Sequence, residues 1–265
     1  MMAASPTLIV QITDTHLLAS DEGKLLGLPT EKSLAAVIAQ IKTLNPQPHG
    51  ILLTGDLSQD ETSASYERLH QHLEKLNLPA YWIPGNHDQP LMMEKVLTTP
   101  PAYGEKSFRW GGWQFILLNS AIPGRVYGYL TEKTLHWLEL ELQRAKNAPT
   151  VVALHHPPFA VDSPWIDKSR LQNPEDLFRV LDSYPQVRLV LFGHIHQNFC
   201  RDRAGIRYLG SPSSSVQFKP SCQQFTLDEK QPGYRLLWLY PDGKFETDIK
   251  RVEFSYSLDF ARTGY

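Results

Sequence analysis

Five short clusters of Asp, His and Asn follow apolar runs in this chain, and each is built from side chains that bind metal ions. They are Thr13-Asp14-Thr15-His16, Gly55-Asp56, Gly85-Asn86-His87-Asp88, His155-His156-Pro157-Pro158 and Gly193-His194-Ile195-His196. A carboxylate has two oxygens and can bridge two ions, whereas an amide offers one neutral oxygen. Imidazole mixed with oxygen ligands suits divalent first-row metals. Asp14 and His16 are two residues apart, as are His194 and His196, so in an extended segment each pair projects to one face. A Gly before Asp56, Asn86 and His194 suits a sharp turn or a close approach. Each cluster alone has a plainer reading. Gly-Asp is a common turn, Gly-Asn-His-Asp can form an Asx-turn or a helix cap, and paired His can be satisfied core residues. All five, each at the end of an apolar run, point to a metal site.

Buried strands are what must hold these clusters in place. Residues 8–12, 51–53, 80–83, 151–154 and 187–192 are short apolar runs of strand character. Helical spacing fills the gaps between them. Residues 33–44 carry Leu34, Val37, Ile38 and Ile41, and residues 63–76 carry Leu69, Leu73 and Leu76. Residues 131–145 align Leu135, Leu138 and Leu142, with Thr131 as N-cap, and residues 173–181 read as a further helix. Residues 108–118 read as a hairpin about Gly111-Gly112. Residues 206–209, 225–227, 234–239 and 244–249 read as later strands. The early βαβαβ pattern predicts parallel pairing with helices outside, and the late pattern predicts a mixed second sheet. The expected fold is therefore α/β, a four-layer α-β-β-α sandwich of two mixed sheets. Its metal site sits at the C-terminal rim of the strands, where ligands gather in such sheets. Residues 1–265 read as one domain, with 212–230 as a candidate lid or interface segment and 254–265 as a weakly ordered tail.

Composition narrows the function classes. The 265 residues are 42% hydrophobic and 20% charged, with a net charge of −2. No basic field is present to draw nucleic acid or an anionic membrane, so neither is expected as a partner. Cys200 and Cys222 are too few for a disulfide scaffold and read as buried thiols. The first six residues lack a basic segment of the signal-peptide kind, and no run is long enough to span a bilayer. A cytoplasmic setting is expected. A monomer and a homodimer are both open.

The five clusters, taken in order, resemble the signature of the calcineurin-like metallophosphoesterase superfamily: Asp-x-His, Gly-Asp, Gly-Asn-His-Asp/Glu, His, Gly-His-x-His. Residues 9–17, 54–60, 189–197 and 211–228 further resemble the bacterial class III 3′,5′-cyclic AMP phosphodiesterases. The resemblance implies two divalent ions, iron and/or manganese, with zinc as the other candidate. It implies that Asp14, His16 and His196 hold one ion, that Asn86, His155 and His194 hold the other, and that Asp56 bridges both. His87 becomes the catalytic residue that protonates the leaving oxygen. Substrate contact extends to His16, Asp56, Asn86, His87, His155 and His196. His156 falls beside the site or faces the substrate, and Asp88 either orients the His87 ring or caps the helix near Pro90. The implied reaction is hydrolysis of 3′,5′-cyclic AMP to 5′-AMP by a metal-bridging hydroxide. Two divalent ions outweigh Asp14, Asp56 and a hydroxide in charge, so a monoester product should bind more strongly than a diester substrate.

The substrate itself is less legible. Trp165 for stacking, Arg170 for polar contact and residues 216–221 are candidates for base recognition, although surface packing is an equal reading for Trp165. Arg201, Arg203 and Arg207 read as a solvated hairpin. The same centre could act on glycerophosphodiesters, 2′,3′-cyclic nucleotides or phosphomonoesters, because metals set the reaction and loops set the substrate. A non-catalytic binding scaffold would be expected to lack some of these ligands, and a nuclease would be expected to carry a basic groove.

Overall fold

The computed structural model describes residues 5–262 and residue 264. The reading of residues 1–4, and of 263 and 265 in the tail, falls outside them. The first sheet contains β1 (Thr7–Ile12), β2 (Gly50–Thr54), β3 (Ala80–Ile83) and β4 (Ala102–Tyr103), all parallel. The second contains β5 (Ser107–Trp110), β6 (Trp113–Leu117), β7 (Thr150–Ala153), β8 (Val187–Phe192), β9 (Phe199–Arg203) and β10 (Ile206–Gly210). Late strands β11 (Gly233–Leu239) and β12 (Phe245–Arg251) return to the first sheet and pair antiparallel beside β1. The strand orders are β12-β11-β1-β2-β3-β4 and β9-β10-β8-β7-β6-β5. β6, β7, β8 and β10 run parallel, with antiparallel strands at both edges.

Alternation along each strand builds three apolar layers. Ile9, Leu52, Leu189 and Leu191 point into the interface between the sheets, where they meet Phe115, Val151 and Leu237. Their neighbours Val10, Ile51 and Leu53 pack outward against helices α1 (Thr30–Lys42) and α2 (Ser63–Leu76), the latter through Tyr66 and Leu69. Val190 and Phe192 pack outward on the second sheet against Leu138 and Leu142 of a later helix and Leu177 of another. Strands covered on both faces read as continuous apolar runs, as parallel strands in α/β folds do. The four layers are α-β-β-α.

Four further helices complete the chain: α3 (Pro90–Val96), α4 (Glu132–Ala145), α5 (Pro164–Asp167) and α6 (Pro174–Leu181). Thr131 caps α4 by accepting from Thr134 N at 3.1 Å. Cys200 is exposed and Cys222 half-buried, and both are free. The expectation of buried thiols fails because Cys200 lies on the polar edge strand β9. The expected strand at 225–227 reduces to Leu227–Asp228. Residues 254–262 have no strand or helix, yet Phe254, Tyr256 and Leu258 pack onto the second-sheet core and Asp259 N donates to Leu26 O. Among the described residues, no helix is long and apolar enough to cross a membrane.

Candidate metal centre

The ends of β1, β2 and β3 from one sheet, and of β7 and β8 from the other, meet at a single rim. Backbone hydrogen bonds lock the loops together: Asp14 N to Gly55 O at 2.9 Å, His16 N to Asp56 O at 3.0 Å and Gly193 N to His155 O at 3.1 Å. Buried serines tie this floor to the chain beyond β10. Ser213 Oγ donates to Asp14 O at 2.8 Å, and Ser214 N donates to Thr13 O at 3.0 Å.

The paired ligands do not lie in extended backbone. Asp14, His16, Asp56, His194 and His196 have φ of 55°, 47°, 51°, 68° and 50°. This left-handed conformation is uncommon outside Gly, although Asp and His are enriched in it. Each such residue stores about 1–3 kcal/mol of strain, a feature that clusters at functional sites. The convergence of Asp14 with His16, and of His194 with His196, therefore comes from tight turning after each strand. Gly55, at φ 95°, has the same need, and a side chain there would strike the His155 ring. A side chain on Gly85 would strike the Asp56 carboxylate, so this position needs Gly for clearance.

The side chains converge in overlapping groups. Asp14, His16 and His196 place ligating atoms within 4.8 Å of one another, as do Asp14, Asp56 and His155. Asp56 Oδ2 lies 3.2 Å from His155 Nε2 and 3.9 Å from His16 Nε2, so it stands between the groups. His196 Nε2 is 3.3 Å from Asp14 Oδ1. All of these side chains are buried.

Each imidazole is fixed by a partner on its outer nitrogen. His16 Nδ1 bonds Gln59 Oε1 at 2.7 Å, His155 Nδ1 bonds Thr54 O at 2.8 Å and His196 Nδ1 bonds Val216 O at 2.8 Å. These acceptors take the Nδ1 proton and turn Nε2 inward, where it offers a lone pair when the ring is neutral. His194 is reversed: its Nε2 donates to Ser169 Oγ at 2.8 Å, because Ser169 gives its own proton to Ile166 O. Nδ1 of His194 is then the inward atom. Ligating His rings are characteristically held this way in metal sites.

Four inward atoms are buried: Asn86 Oδ1 and His194 Nδ1 have no hydrogen-bond partner, and Asp56 Oδ2 and His155 Nε2 approach each other at 3.2 Å. Burying acceptors with no donor is costly unless a cation satisfies them. The donor set of carboxylate, amide and neutral imidazole fits a divalent first-row ion. His156 bonds Ser120 through Nδ1 at 2.9 Å and also leaves Nε2 unpartnered. It can join His155 and His194 within 4.8 Å.

Electrostatics follow from this crowding. Burial, then the neighbouring imidazoles of His196 and His87, hold His16 down to about 3, against the pull of Asp56. Burial also penalises a charged His155, but the adjacent Asp56 carboxylate outweighs it and lifts the ring to about 9. Asp56 itself is held well below the usual carboxylate range, because the imidazoles of His155 and His87 overcome its burial.

A model of the calcineurin-like phosphoesterases matches residues 7–198. The chain belongs to this family. It is 50% identical over 254 residues to a 3′,5′-cyclic-nucleotide phosphodiesterase of Nostoc sp., covering 96% of each chain. It is 41% identical over 259 residues to the 3′,5′-cyclic adenosine monophosphate phosphodiesterase CpdA of Pseudomonas aeruginosa, covering 97% of this chain and 95% of that one. A dimetal phosphatase from Danio rerio shares the fold, with a TM-score of 0.72 over 97% of this chain and 99% of that one at 13% identity.

The other candidate residues lie around the cluster or apart from it. His87 is half-buried at its mouth, with Nδ1 3.5 Å from Gln59 Nε2 and its backbone N donating to Asp56 Oδ1 at 2.9 Å. Asp88 neither orients His87 nor caps α3, whose cap is Gln89. Its carboxylate accepts from Leu57 N, Ser58 N, Gly85 N and Tyr66 Oη, and so staples the Asp56 loop to the Asn86 loop. Arg170 lines a different groove with Phe159 and Arg201, away from the cluster. Phe218 is buried and stacks on His196 at 4.0 Å. Arg203 and Arg207 pair with Asp182 and Asp202 at the outer hairpin. Gln59, Ser120, Ser169 and Tyr66 carried no signal in the sequence, because nothing in their spacing marks them as partners of a ligand. A groove of about 860 Å³ lies at the opposite end of the strands and holds none of the clustered residues.

Proposed function

We propose that this chain hydrolyses 3′,5′-cyclic AMP to 5′-AMP with two divalent ions at the rim. The observation that carries the metal reading is the set of four buried inward atoms on Asp56, Asn86, His155 and His194, of which only the Asp56–His155 pair approach each other. The substrate reading is supported by likeness to the Nostoc and Pseudomonas phosphodiesterases along nearly the whole chain. Asp14, His16 and His196 would hold one ion, Asn86, His155 and His194 the other, with Asp56 shared between them. Iron and manganese suit this nitrogen and oxygen set, as does zinc. Bound ions supply Lewis acidity toward phosphoryl oxygens and make water nucleophilic at neutral pH.

The chain's own residues provide the rest. Gln59, Thr54, Val216 and Ser169 fix each ring so that a lone pair faces inward. Gln59 Nε2 lies 3.5 Å from His87 Nδ1. As the imidazolium, His87 would pass one proton to the departing 3′ oxygen as the P–O bond breaks and return to the neutral ring. Both sheets supply site residues, so the whole chain acts as one domain. The test is product identity. Metal-loaded protein should convert cyclic AMP to 5′-AMP alone, and a chelator should abolish the reaction. Formation of 3′-AMP, or undiminished turnover after chelation, would refute this assignment.

A further inference from the structure

We infer that the recess beside the cluster is a subsite for the purine ring of the substrate, walled by Trp165 and Phe225 and rimmed by the amides of Gln223 and Gln224. This rests on the phosphodiesterase reading above and adds which part of the chain selects the substrate. The recess holds about 710 Å³, and its inner end is formed by Asn86, His87 and His194. That volume is within the range of small-molecule sites. A phosphate at the cluster would leave the rest of a nucleotide in this space.

A line of rings leads from the cluster into the recess. His196 stacks on Phe218 at 4.0 Å, Phe218 meets Trp165 at 5.0 Å and Trp165 meets Phe225 at 5.1 Å. Phe218 is fully buried, so it supports the wall and cannot touch a base. Trp165 and Phe225 are half-buried and line the cavity. Val126, 63% exposed, adds an apolar group to the same lining.

Charge decides among substrate classes. No Asp or Glu lines the recess among the described residues, and Lys168 does. A quaternary ammonium, as in glycerophosphocholine, would find aromatic rings but no carboxylate, and would meet a cation. A phosphomonoester with a small alcohol would leave the aromatic wall unused. A purine is flat and neutral, with donors and acceptors along its edge. Gln223 and Gln224 are exposed at the rim, and each amide carries both a donor and an acceptor. Rotation of an amide suits either purine, so adenine and guanine should be accepted with little distinction.

The experiment compares kcat/KM for cyclic AMP, cyclic GMP, 3′,5′-cyclic UMP and methyl p-nitrophenyl phosphate, which has no base. Metal-loaded wild type, Trp165→Ala, Trp165→Phe and Phe225→Leu are used. The readout is the ratio of cyclic AMP to the small diester within each protein, which cancels any shared loss of folded or metal-loaded enzyme. Removing a base-stacking aromatic typically weakens binding about 5- to 150-fold. The ratio should fall at least about 5-fold in Trp165→Ala, and less in Trp165→Phe. Titration with 5′-AMP should quench the tryptophan emission of wild type more than that of Trp165→Phe. A wild type that prefers cyclic AMP, with ratios unchanged in Trp165→Ala and Phe225→Leu, overturns the subsite alone. A wild type that cleaves the small diester and no cyclic nucleotide overturns the proposed function and the subsite together.

Discussion

Replacing Asp88 with Asn tests whether the loops that carry the site are held by one buried carboxylate. Asp88 Oδ1 accepts from Leu57 N at 3.0 Å, Ser58 N at 3.0 Å and Tyr66 Oη at 3.1 Å. Oδ2 accepts from Gly85 N at 2.8 Å and also approaches Leu57 N at 3.1 Å. Burial, then repulsion from Asp56, push this carboxyl up to about 7, while the three backbone amides pull it down. An Asn keeps one oxygen, so its NH₂ must face at least one backbone donor. A buried N–H left without an acceptor costs about 1–3 kcal/mol, and the remaining bonds lose their charge-assisted strength. The expected destabilisation is about 3 kcal/mol, and for a chain of this size that is a fall in Tm of roughly 6–12 °C. Because the Asp56 and Asn86 loops separate, metal affinity should fall as well. Tyr66→Phe should show a smaller loss that is not additive with Asp88→Asn in a double-mutant cycle. Thermal unfolding with and without Mn²⁺ reads both effects. An Asp88→Asn variant with wild-type Tm and wild-type metal affinity would refute the staple.

The other predictions are narrower. Ser169→Ala removes the acceptor that fixes His194 Nε2–H, so Mn²⁺ titration should show one of two sites weakened about 10–100-fold, while equal weakening of both would contradict the assignment. A loaded centre of net positive charge should hold 5′-AMP more tightly than cyclic AMP, so progress curves should show product inhibition; no effect of AMP at substrate-like concentration would count against it. Lys106 donates to Trp82 O at 2.6 Å, and burial pushes its ammonium down to about 7. An unfolded Lys titrates near 10.4, so the unfolded chain binds more protons between these values and stability should rise as pH goes from about 7 to 10. Denaturant unfolding at several pH values should show this slope in wild type and lose it in Lys106→Met.

The sequence displays the ligand types plainly because Asp, His and Asn are out of place at the ends of apolar strands. Buried strands and amphipathic helices were equally open to reading: Ser63–Leu76, Ala80–Ile83 and Val187–Phe192 form where the pattern places them. The backbone that makes the ligands converge was not legible. An i, i+2 spacing suggests an extended segment, yet the chain uses left-handed turns at Asp14, His16, His194 and His196. The arginines at 201, 203 and 207 read as a solvated hairpin, and β9 pairs antiparallel with β10 there, although its exposed edge lacks an apolar period that would set its bounds. The partners that fix the imidazoles come from distant loops, 43 residues away for His16 with Gln59 and 25 for His194 with Ser169. Only the folded chain brings them together. Asp88 shows the same limit: next to His87 in sequence, it serves the backbone of another loop instead.

The most direct test of the central claim is kcat/KM for cyclic AMP in Mn²⁺- or Fe²⁺-loaded protein, beside a 2′,3′-cyclic nucleotide and glycerophosphocholine, with His87→Ala in parallel. The predicted result is that cyclic AMP leads clearly, and that His87→Ala lowers its kcat about 10²–10⁴-fold while still binding two ions per chain. A different diester in the lead, or a His87→Ala variant with undiminished turnover, would contradict it.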